Sequence, residues 1–205
     1  MESIEIRPAT SADAAALAAI FRRAILAIDS RHYGAAEKKA WLASGDDVGR
    51  WQERIGRGFI QVATGRGRPL GFIEYLPEPG HVDCLFTDPD YQRRGVASAL
   101  LATVLATARV DILTADVSKA ALAFFERRGF VRQRKNYVQR HGLRLVNYHG
   151  LRAEKPAAGL LPSQNPHSGR RRAPPPSVPA ADCAPPAGFG HLGDALRPAY
   201  SAAVV

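Results

Sequence analysis

The chain has few of the residues and segments that mark several protein classes. Its 205 residues include two cysteines, Cys84 and Cys183, far apart and without metal-ligand spacing, and its six histidines show no such spacing either. No secretory signal is expected, because residues 1–5 alternate acidic and apolar side chains where a basic block would stand. The longest weakly polar run, residues 96–108, is too short to span a bilayer. We therefore expect a protein of a reducing, cytoplasmic compartment with no metal and no membrane segment.

The charge of the chain is strongly basic. The formal net charge is +9, and hydrophobic residues make up 46% of the sequence, as in a soluble globular protein. A basic surface attracts nucleic acid, anionic lipid or a phosphorylated cofactor. Many of the arginines are scattered, and no basic stripe interleaved with aromatic residues is evident. Nucleic acid is therefore a disfavoured partner.

Residues 156–205 differ in composition from the rest of the chain. They hold ten of the fifteen prolines, with alanine, serine and glycine between them and no sustained periodicity. Such a segment buries too little apolar surface to offset the entropy lost on ordering. The sequence therefore predicts one folded domain, residues 1–155, followed by a disordered Pro/Ala-rich tail, residues 156–205.

The folded part alternates strand and helix patterns. Predicted strands, in chain order, are 4–8, 59–64, 70–76, 80–87, 112–115, 131–139 and 143–148. The first predicted helix is capped by Ser11 and runs through Ile28. The other predicted helices are 35–43, 48–55, 96–108 and 120–128. Asp46 or Asp47 would cap the helix at 48–55, and Gly129 would end the last one. This order predicts an α/β or α+β fold with a mixed, mostly antiparallel sheet flanked by helices.

Two glycine-containing segments have the composition of phosphate-binding loops. The first, Gly65-x-Gly67-x-x-x-Gly71, fails the dinucleotide spacing and is followed by a strand, so we interpret it as a hairpin turn. The second, Val82–Leu101, predicts a strand, a turn and then a helix that begins at Gly95. Backbone N–H groups and the helix dipole would then converge on one point, which favours a bound phosphate. An ordinary strand–turn–helix connection is the alternative.

The second segment resembles the GNAT superfamily of acyl-CoA-dependent N-acyltransferases. Gln92, Gly95 and Ala97 match the family pattern Gln/Arg-x-x-Gly-x-Gly/Ala, and 85–91 and 124–130 match its usual neighbours. The resemblance covers about residues 3–150 and implies a GNAT-like fold. Residues Phe21–Ile25, His32-Tyr33 and Ala40-Trp41 are similar to a YafP-type bacterial subgroup.

The resemblance implies a site for acetyl-CoA, used as co-substrate. Backbone groups of Leu85, Phe86 and Thr87 would run beside the pantetheine arm as an added strand. The pyrophosphate would be held by the loop and the start of the helix, namely Gln92, Arg93, Arg94, Gly95, Val96, Ala97 and Ser98. Ser118, at the position of a family asparagine, completes this set.

The implied reaction needs a base to deprotonate the acceptor amine and a donor for the departing thiolate. Many family members place a glutamate on the strand before the loop; this chain has His81 there, with Asp83 two residues on. Either is a candidate base, or merely a residue of the strand surface. The usual tyrosine donor is Phe125, which has no proton to give. Tyr33, Tyr137 or Tyr148 could substitute for it, or the thiolate leaves unaided.

The leading hypothesis is an acetyl-CoA-dependent N-acetyltransferase acting on a primary amine of a small molecule or peptide, by direct attack in a ternary complex. A CoA-binding sensor or interaction module without catalysis is the alternative that Phe125 favours. A nucleic-acid-associated protein is the third, from the charge alone. The acceptor is not readable from the sequence, which also leaves a homodimer open.

Overall fold

The structure is a computed structural model that describes residues 3–43, 45, 47–153 and 202–204, the last three by their backbone alone. The predicted disordered tail, residues 156–205, lies outside the described residues except for a short strand near its end. Asp46, one of the two predicted caps, also lies outside them.

Seven strands between residues 5 and 153 form one mixed sheet, which an eighth short strand joins. The strands are β1 (Glu5–Pro8), β2 (Ile60–Gly65), β3 (Arg68–Leu76), β4 (His81–Thr87), β5 (Ile112–Ser118), β6 (Val131–Arg140), β7 (Leu143–Ala153) and β8 (Ala202–Val204). Their order in the sheet is β1-β2-β3-β4-β8-β5-β7-β6, with β8 inserted between β4 and β5. β4, β5 and β8 are parallel to one another, and every other pairing among the described strands is antiparallel.

Five α-helices accompany the sheet in the described part of the chain. They are α1 (Ala14–Ala27), α2 (Ala35–Leu42), α3 (Val48–Gly56), α4 (Val96–Thr107) and α5 (Leu122–Glu126). None of them has both the length and the apolarity needed to cross a bilayer. The mixed, mostly antiparallel sheet flanked by helices confirms the predicted fold class.

The start of α1 differs from the prediction. A 3₁₀ turn, Ser11–Asp13, precedes the helix, and Ser11 opens this turn without capping α1. Asp13 instead accepts hydrogen bonds from the Thr10 backbone and hydroxyl, at 2.8 and 3.0 Å, and pairs with Arg7. The capping interaction thus lies one residue earlier, at Thr10, because the chain enters through the tighter turn. Asp47 caps α3 as predicted, by accepting from the backbone of Gly49.

Apolar side chains cover both faces of the sheet. One face packs on α1, α2 and α3, with Cys84 and Phe86 as the β4 contributions. The other packs on α4 and α5, with Val82 and Leu85 from β4. The sheet is therefore the middle of three layers, and a cofactor or acceptor can reach its centre only where strands separate.

The predicted β2–β3 hairpin closes through a two-residue turn. Gly65 pairs with Arg68, and both Arg66 and Gly67 have positive φ, +48° and +73°. This geometry is that of a type I′ hairpin turn. The glycines at 65–71 therefore serve a hairpin, as the sequence indicated, and not a dinucleotide site.

The parallel strands β4 and β5 pair over two residues only. His81 pairs with Thr114 and Val82 with Ala115, after which the strands diverge. We call this divergence, flanked by Asp83 on β4 and Asp116 on β5, the fork. β8 enters the fork beyond that point, where Cys84, Leu85 and Phe86 pair with residues 202, 203 and 204.

Candidate functional site

The loop after β4 is tied to α1 by ion pairs. Asp88 accepts from the backbone of Asp90 and so caps a 3₁₀ turn, Pro89–Tyr91. The guanidinium of Arg23 on α1 donates to Asp88 and Asp90, each at 2.8 Å. These contacts hold the entrance of the loop in place before the chain turns into α4.

The loop itself uses left-handed backbone at two positions. Gly95, the N-cap of α4, has φ +89°, and Arg93 has φ +59°, a region in which non-glycine residues are uncommon. Alternation of left- and right-handed residues turns successive N–H groups toward one side and forms an anion-binding concavity. The loop therefore presents backbone donors together with the positive end of the α4 dipole.

A cavity of about 480 Å³ opens at this loop. None of the residues that line it is acidic, whereas Arg93, Arg127 and Arg128 bring positive charge. Arg128 donates to the hydroxyl of Ser98 and stacks over the ring of Phe124, 4.3 Å from its centroid. The cavity therefore suits an anionic ligand with a flat or apolar portion.

Two further observations fit a phosphorylated cofactor in this cavity. The hydroxyl of Thr87 is buried and has no hydrogen-bond partner among the described residues, so a ligand group can supply one. A Cβ added to Gly95 would meet no atom within 4 Å. The glycine is therefore needed for its backbone conformation and leaves the ligand's approach unobstructed.

Most residues predicted for the cofactor reach the cavity, and some do not. Those lining it are Thr87, Gln92, Arg93, Gly95, Val96, Ala97 and Ser98. Arg94 lies over the Tyr91 ring at 5.4 Å, and Ser118 accepts from the backbone of Ala121 before α5. Leu85 and Phe86 do not line the cavity either. The lining residues that the prediction missed are Tyr91 and five residues of the α5 region: Ala120, Ala123, Phe124, Arg127 and Arg128. Most of them lie in or beside the 124–130 segment that matches the family pattern. The two adjacent arginines that follow two aromatic residues in this segment could have indicated an anion-binding role.

A buried ionic cluster lies beside the fork. Arg54 of α3 donates to Glu74 and Asp83, with the Asp83 contact at 2.6 Å, and also lies 3.6 Å from the sulfur of Cys84. All three partners are buried. The potential ligand atoms of Glu74, Asp83 and Cys84 lie within 4.8 Å of one another, but the guanidinium already supplies positive charge among them.

A β-bulge determines where Asp83 points. Cys84 pairs with Glu74 and Val82 with Tyr75, so Asp83 has no partner on β3. In a regular strand Asp83 and Cys84 would face opposite sides of the sheet, whereas here both contact Arg54. Bulges often re-aim a side chain next to an active site.

Burial dominates the protonation of this cluster. Burial raises the pKa of the Asp83 carboxyl; Arg54 opposes the shift, and the charges of Glu74 and Asp116 add to it. One Asp83 oxygen, Oδ1, is buried without a hydrogen-bond partner among the described residues. Burial likewise raises the pKa of the Cys84 thiol, so this cysteine is a packed side chain and not a nucleophile.

Comparison with known proteins identifies the family. The family model "Acetyltransferase (GNAT) domain" matches residues 30–151. The chain belongs to the GNAT family. It is 37% identical over 149 residues to the uncharacterised N-acetyltransferase YafP of Escherichia coli K12, covering 73% of this chain and 95% of that protein. The family membership and the cavity together make this chain an acyltransferase.

Solved structures share the GNAT fold. A GCN5-related N-acetyltransferase of Rhodopseudomonas palustris (aminotransferase, class-II) has a TM-score of 0.70 at 32% identity, covering 75% of this chain and 98% of that one. YncA of Salmonella typhimurium, solved with acetyl-CoA, has a TM-score of 0.56 at 20% identity, covering 76% and 96%. The second likeness is one of fold alone.

The tyrosine candidates for thiolate protonation are differently placed in this GNAT domain. Tyr33 is buried, its hydroxyl donates to the carbonyl of Val146 at 2.7 Å, and burial raises its pKa to about 12. Tyr137 is half exposed and stacks with Arg144. Tyr148 pairs with Val117 and stacks with Arg132 at 5.4 Å. The Tyr33 proton is therefore committed to the backbone, and the rings of the other two tyrosines lie against arginine side chains.

The residue at the usual tyrosine position is part of the core. Phe125 is buried, and its ring meets those of Phe124 and Phe130 edge-on at 5.4 and 5.0 Å. Its packing accounts for a phenylalanine without any catalytic role. The remaining predicted base, His81, is half buried, with Nδ1 2.8 Å from the Thr114 hydroxyl across the paired part of β4 and β5.

Proposed function

We propose that this GNAT domain transfers an acetyl group from acetyl-CoA to a primary amine of a small molecule or peptide, by direct attack in a ternary complex. The observation that carries the proposal is the acid-free cavity at the 92–98 loop, with its left-handed Gly95 and three arginines. The acetyl-CoA bound by YncA and the coenzyme A bound by PaiA of Thermoplasma acidophilum support this choice of co-substrate.

Each part of the cofactor has a proposed place. The 92–98 backbone and the arginines hold the pyrophosphate, and the orphaned Thr87 hydroxyl supplies one more polar contact. The pantetheine arm lies along the edge of β4 at Leu85 and Phe86. The side chains of these two residues are buried, so their backbone N–H and C=O groups are the ones that bind the arm. The thioester then reaches the fork beside Asp83.

Asp83 is our preferred base for the proton lost from the attacking nitrogen. Its free Oδ1 can accept that proton, and a carboxyl with a raised pKa can pass it on to the departing sulfur. Asp83 would thus replace the missing tyrosine donor. His81 is the second candidate, with one ring nitrogen held by Thr114.

A non-catalytic acyl-CoA sensor is the second candidate function, because Phe125 removes the family's usual proton donor. Release of free thiol from acetyl-CoA in the presence of an amine, above the rate without protein, would exclude it. Tight acetyl-CoA binding without turnover for any amine of a broad panel would favour it.

Substituting Gly95 with valine should weaken acetyl-CoA binding at least about tenfold, a loss of roughly 1.4 kcal/mol, while the domain stays folded. A β-branched residue is strained at φ +89°, so the loop must rotate its N–H groups away from the phosphates. Isothermal titration calorimetry with acetyl-CoA measures the effect.

The matched control is Gly67→Val. Gly67 also has positive φ, +73°, and open space around an added Cβ, but it lies in the β2–β3 turn. Both variants should lose similar thermal stability, and Gly67→Val should bind acetyl-CoA normally. Equal affinities of the two variants would refute the proposed phosphate site.

Strand β8 and the pantetheine arm need the same edge of β4, because residues 203 and 204 pair with Leu85 and Phe86. Ala203→Pro removes a backbone donor and should weaken β8 pairing. We expect the dissociation constant for acetyl-CoA to fall about fivefold, equivalent to roughly 1 kcal/mol of relieved competition. An unchanged constant would show that β8 does not compete.

A further inference from the structure

A row of ionisable side chains crosses the sheet at the fork. Asp83 and Asp116 are the first residues of β4 and β5 beyond the paired positions. On β7, His149 lies directly opposite Asp116, and on β6 Arg134 lies directly opposite His149. Directly opposite residues of antiparallel strands share a face. Asp116, His149 and Arg134 therefore point to one side of the sheet.

This side is the one covered by α1, α2 and α3. Leu145 lies four residues before His149 on β7, so the two side chains are on the same face, and Leu145 packs in the cluster formed by those helices. Arg140 of β6 stacks on Trp41 of α2. Tyr148 is adjacent to His149 on β7, so its side chain points to the opposite face, the one covered by α4. Asp83 also belongs to the first side, because it contacts Arg54 of α3. The row thus faces away from the phosphate loop.

Hydrogen bonds fix the tautomer of His149. Its Nδ1 lies 2.9 Å from Oδ1 of Asp116, a carboxylate that can only accept, so the neutral ring carries its proton on Nδ1. Asn136 donates to the same oxygen at 3.2 Å and accepts from Arg134 at 3.1 Å. The lone pair of His149 is therefore on Nε2, and Asp116 is positioned to stabilise an imidazolium.

Exposure separates this pair from the buried cluster. The side chains of His149 and Asp116 are 25% and 22% exposed, whereas Asp83 is fully buried. An acceptor arriving from solvent on this side therefore meets His149 before Asp83. The acceptor needs such a group, because a primary amine with a pKa near 10 is almost entirely ammonium at neutral pH.

We propose that His149 is a catalytic base that takes the first proton from the acceptor's ammonium, with Asp116 and Asn136 as positioning residues. This inference rests on the proposed N-acetyltransferase function. Nε2 accepts the proton, and the resulting imidazolium later releases it to water. The free amine then forms the N–C bond, its second proton goes to Asp83, and the C–S bond breaks as that proton reaches the sulfur. One ammonium and one thioester thus give one amide, one thiol and one released proton.

The charged groups around His149 set the pH dependence. Asp116 on β5 favours the imidazolium, Arg134 on β6 opposes it, and Asp83 and Arg54 lie beyond Asp116. Helix α2, which also contacts β7, carries Glu37 and two lysines; Glu37 bonds to the Gly34 backbone and Lys38 to the Leu26 carbonyl. The neutral imidazole is the form that can accept the proton on Nε2, so we expect kcat/KM of the wild type to rise with pH.

The test compares full-length wild type, His149→Gln and Asp116→Asn. Thiol release from acetyl-CoA is followed between pH 5.5 and 9 with spermidine, tyramine and a tripeptide bearing a free α-amine, and the best of these is used throughout. We expect His149→Gln to lose about 100-fold in kcat/KM at pH 7. The difference between variant and wild type should become smaller at high pH, where part of the acceptor is already free amine. Asp116→Asn should lose less kcat/KM than His149→Gln and should change the shape of the rising limb, because the imidazolium loses the carboxylate that lies 2.9 Å from Nδ1.

Controls separate this inference from the proposed function. His141→Gln, in the exposed β6–β7 turn, should match wild type, and acetyl-CoA affinity by calorimetry should be the same in all variants. No wild-type turnover with any of the amines would overturn both the proposed function and the role of His149. Wild-type turnover with an unchanged rate and pH limb in His149→Gln would overturn the role of His149 alone. If His149→Gln lowered the melting temperature without changing the pH dependence of kcat/KM, His149 would have a structural role only.

Discussion

Arg54→Met should lower the free energy of unfolding by about 3–5 kcal/mol at pH 7, as is found when one partner of a buried ion pair is removed. Glu74 and Asp83 would be left in the core without the guanidinium that now lies between them and donates to both. Methionine fills much of the volume and retains contact with Trp51, over whose ring Arg54 lies at 4.7 Å. Urea denaturation followed by fluorescence measures the change.

The destabilisation should depend on pH with a defined sign. Burial already raises the pKa of the Asp83 carboxyl, and loss of Arg54, which lowers it, would raise it further. The native state then binds more protons than the unfolded chain, so stability falls as pH rises from the ordinary aspartate range to the raised value. Wild type shares this fall up to its own raised Asp83 pKa, so the deficit of Arg54→Met should be constant at acid pH and grow only above that pKa, from neutral toward alkaline pH. A deficit that stays constant above neutral pH would contradict the ionic explanation.

Arg57→Met, at the C-cap of the same helix, is the matched control. The Arg57 side chain is 51% exposed and pairs only loosely, at 3.5 Å, with Glu53 one turn earlier. Exposed pairs of this kind contribute little, so we expect a change within about 0.5 kcal/mol. A comparable loss in both variants would indicate a helix-propensity effect.

Asp83→Asn should reduce kcat about 100-fold while leaving acetyl-CoA affinity unchanged, because general acid–base catalysis contributes at least that much. The amide keeps the shape of the side chain but cannot take the proton of the attacking nitrogen or return it to sulfur. The effect should fall on kcat more than on the acceptor KM, since Asp83 acts after both substrates have bound. Single-turnover thiol release with saturating acetyl-CoA checks this.

Glu74→Gln controls for the loss of one negative charge around Arg54. Glu74 shares the same guanidinium but lies on β3, one strand further from the fork. It should keep a kcat near that of wild type. His81→Gln tests the other candidate base, since glutamine can still bond to Thr114. A larger loss at His81 than at Asp83 would move the base to His81, and equal losses in Glu74→Gln and Asp83→Asn would assign Asp83 an electrostatic role only.

The strand, loop and helix of residues 82–101 could be predicted because their signal is local. Pro89, Gly95 and the apolar stripe of α4 follow one another within about twenty residues, and backbone geometry alone then directs N–H groups to one point. The β2–β3 turn was predictable for the same reason. The lengths of β5 and β7 were underestimated, because each is extended by pairing with the other from Ile112 opposite Ala153 to Ser118 opposite Asn147.

The sequence by itself determined the GNAT fold class, the loop of residues 92–98 that leads into α4, and the absence of a tyrosine at Phe125. Each of these depends on residues close together in the chain. Only the tertiary structure decided that Arg54 neutralises Asp83 across 29 positions, that a bulge turns Asp83 beside Cys84, and that Asp116 meets His149. Strand register and bulges set such contacts, and a one-residue change in register moves a side chain to the other face of the sheet.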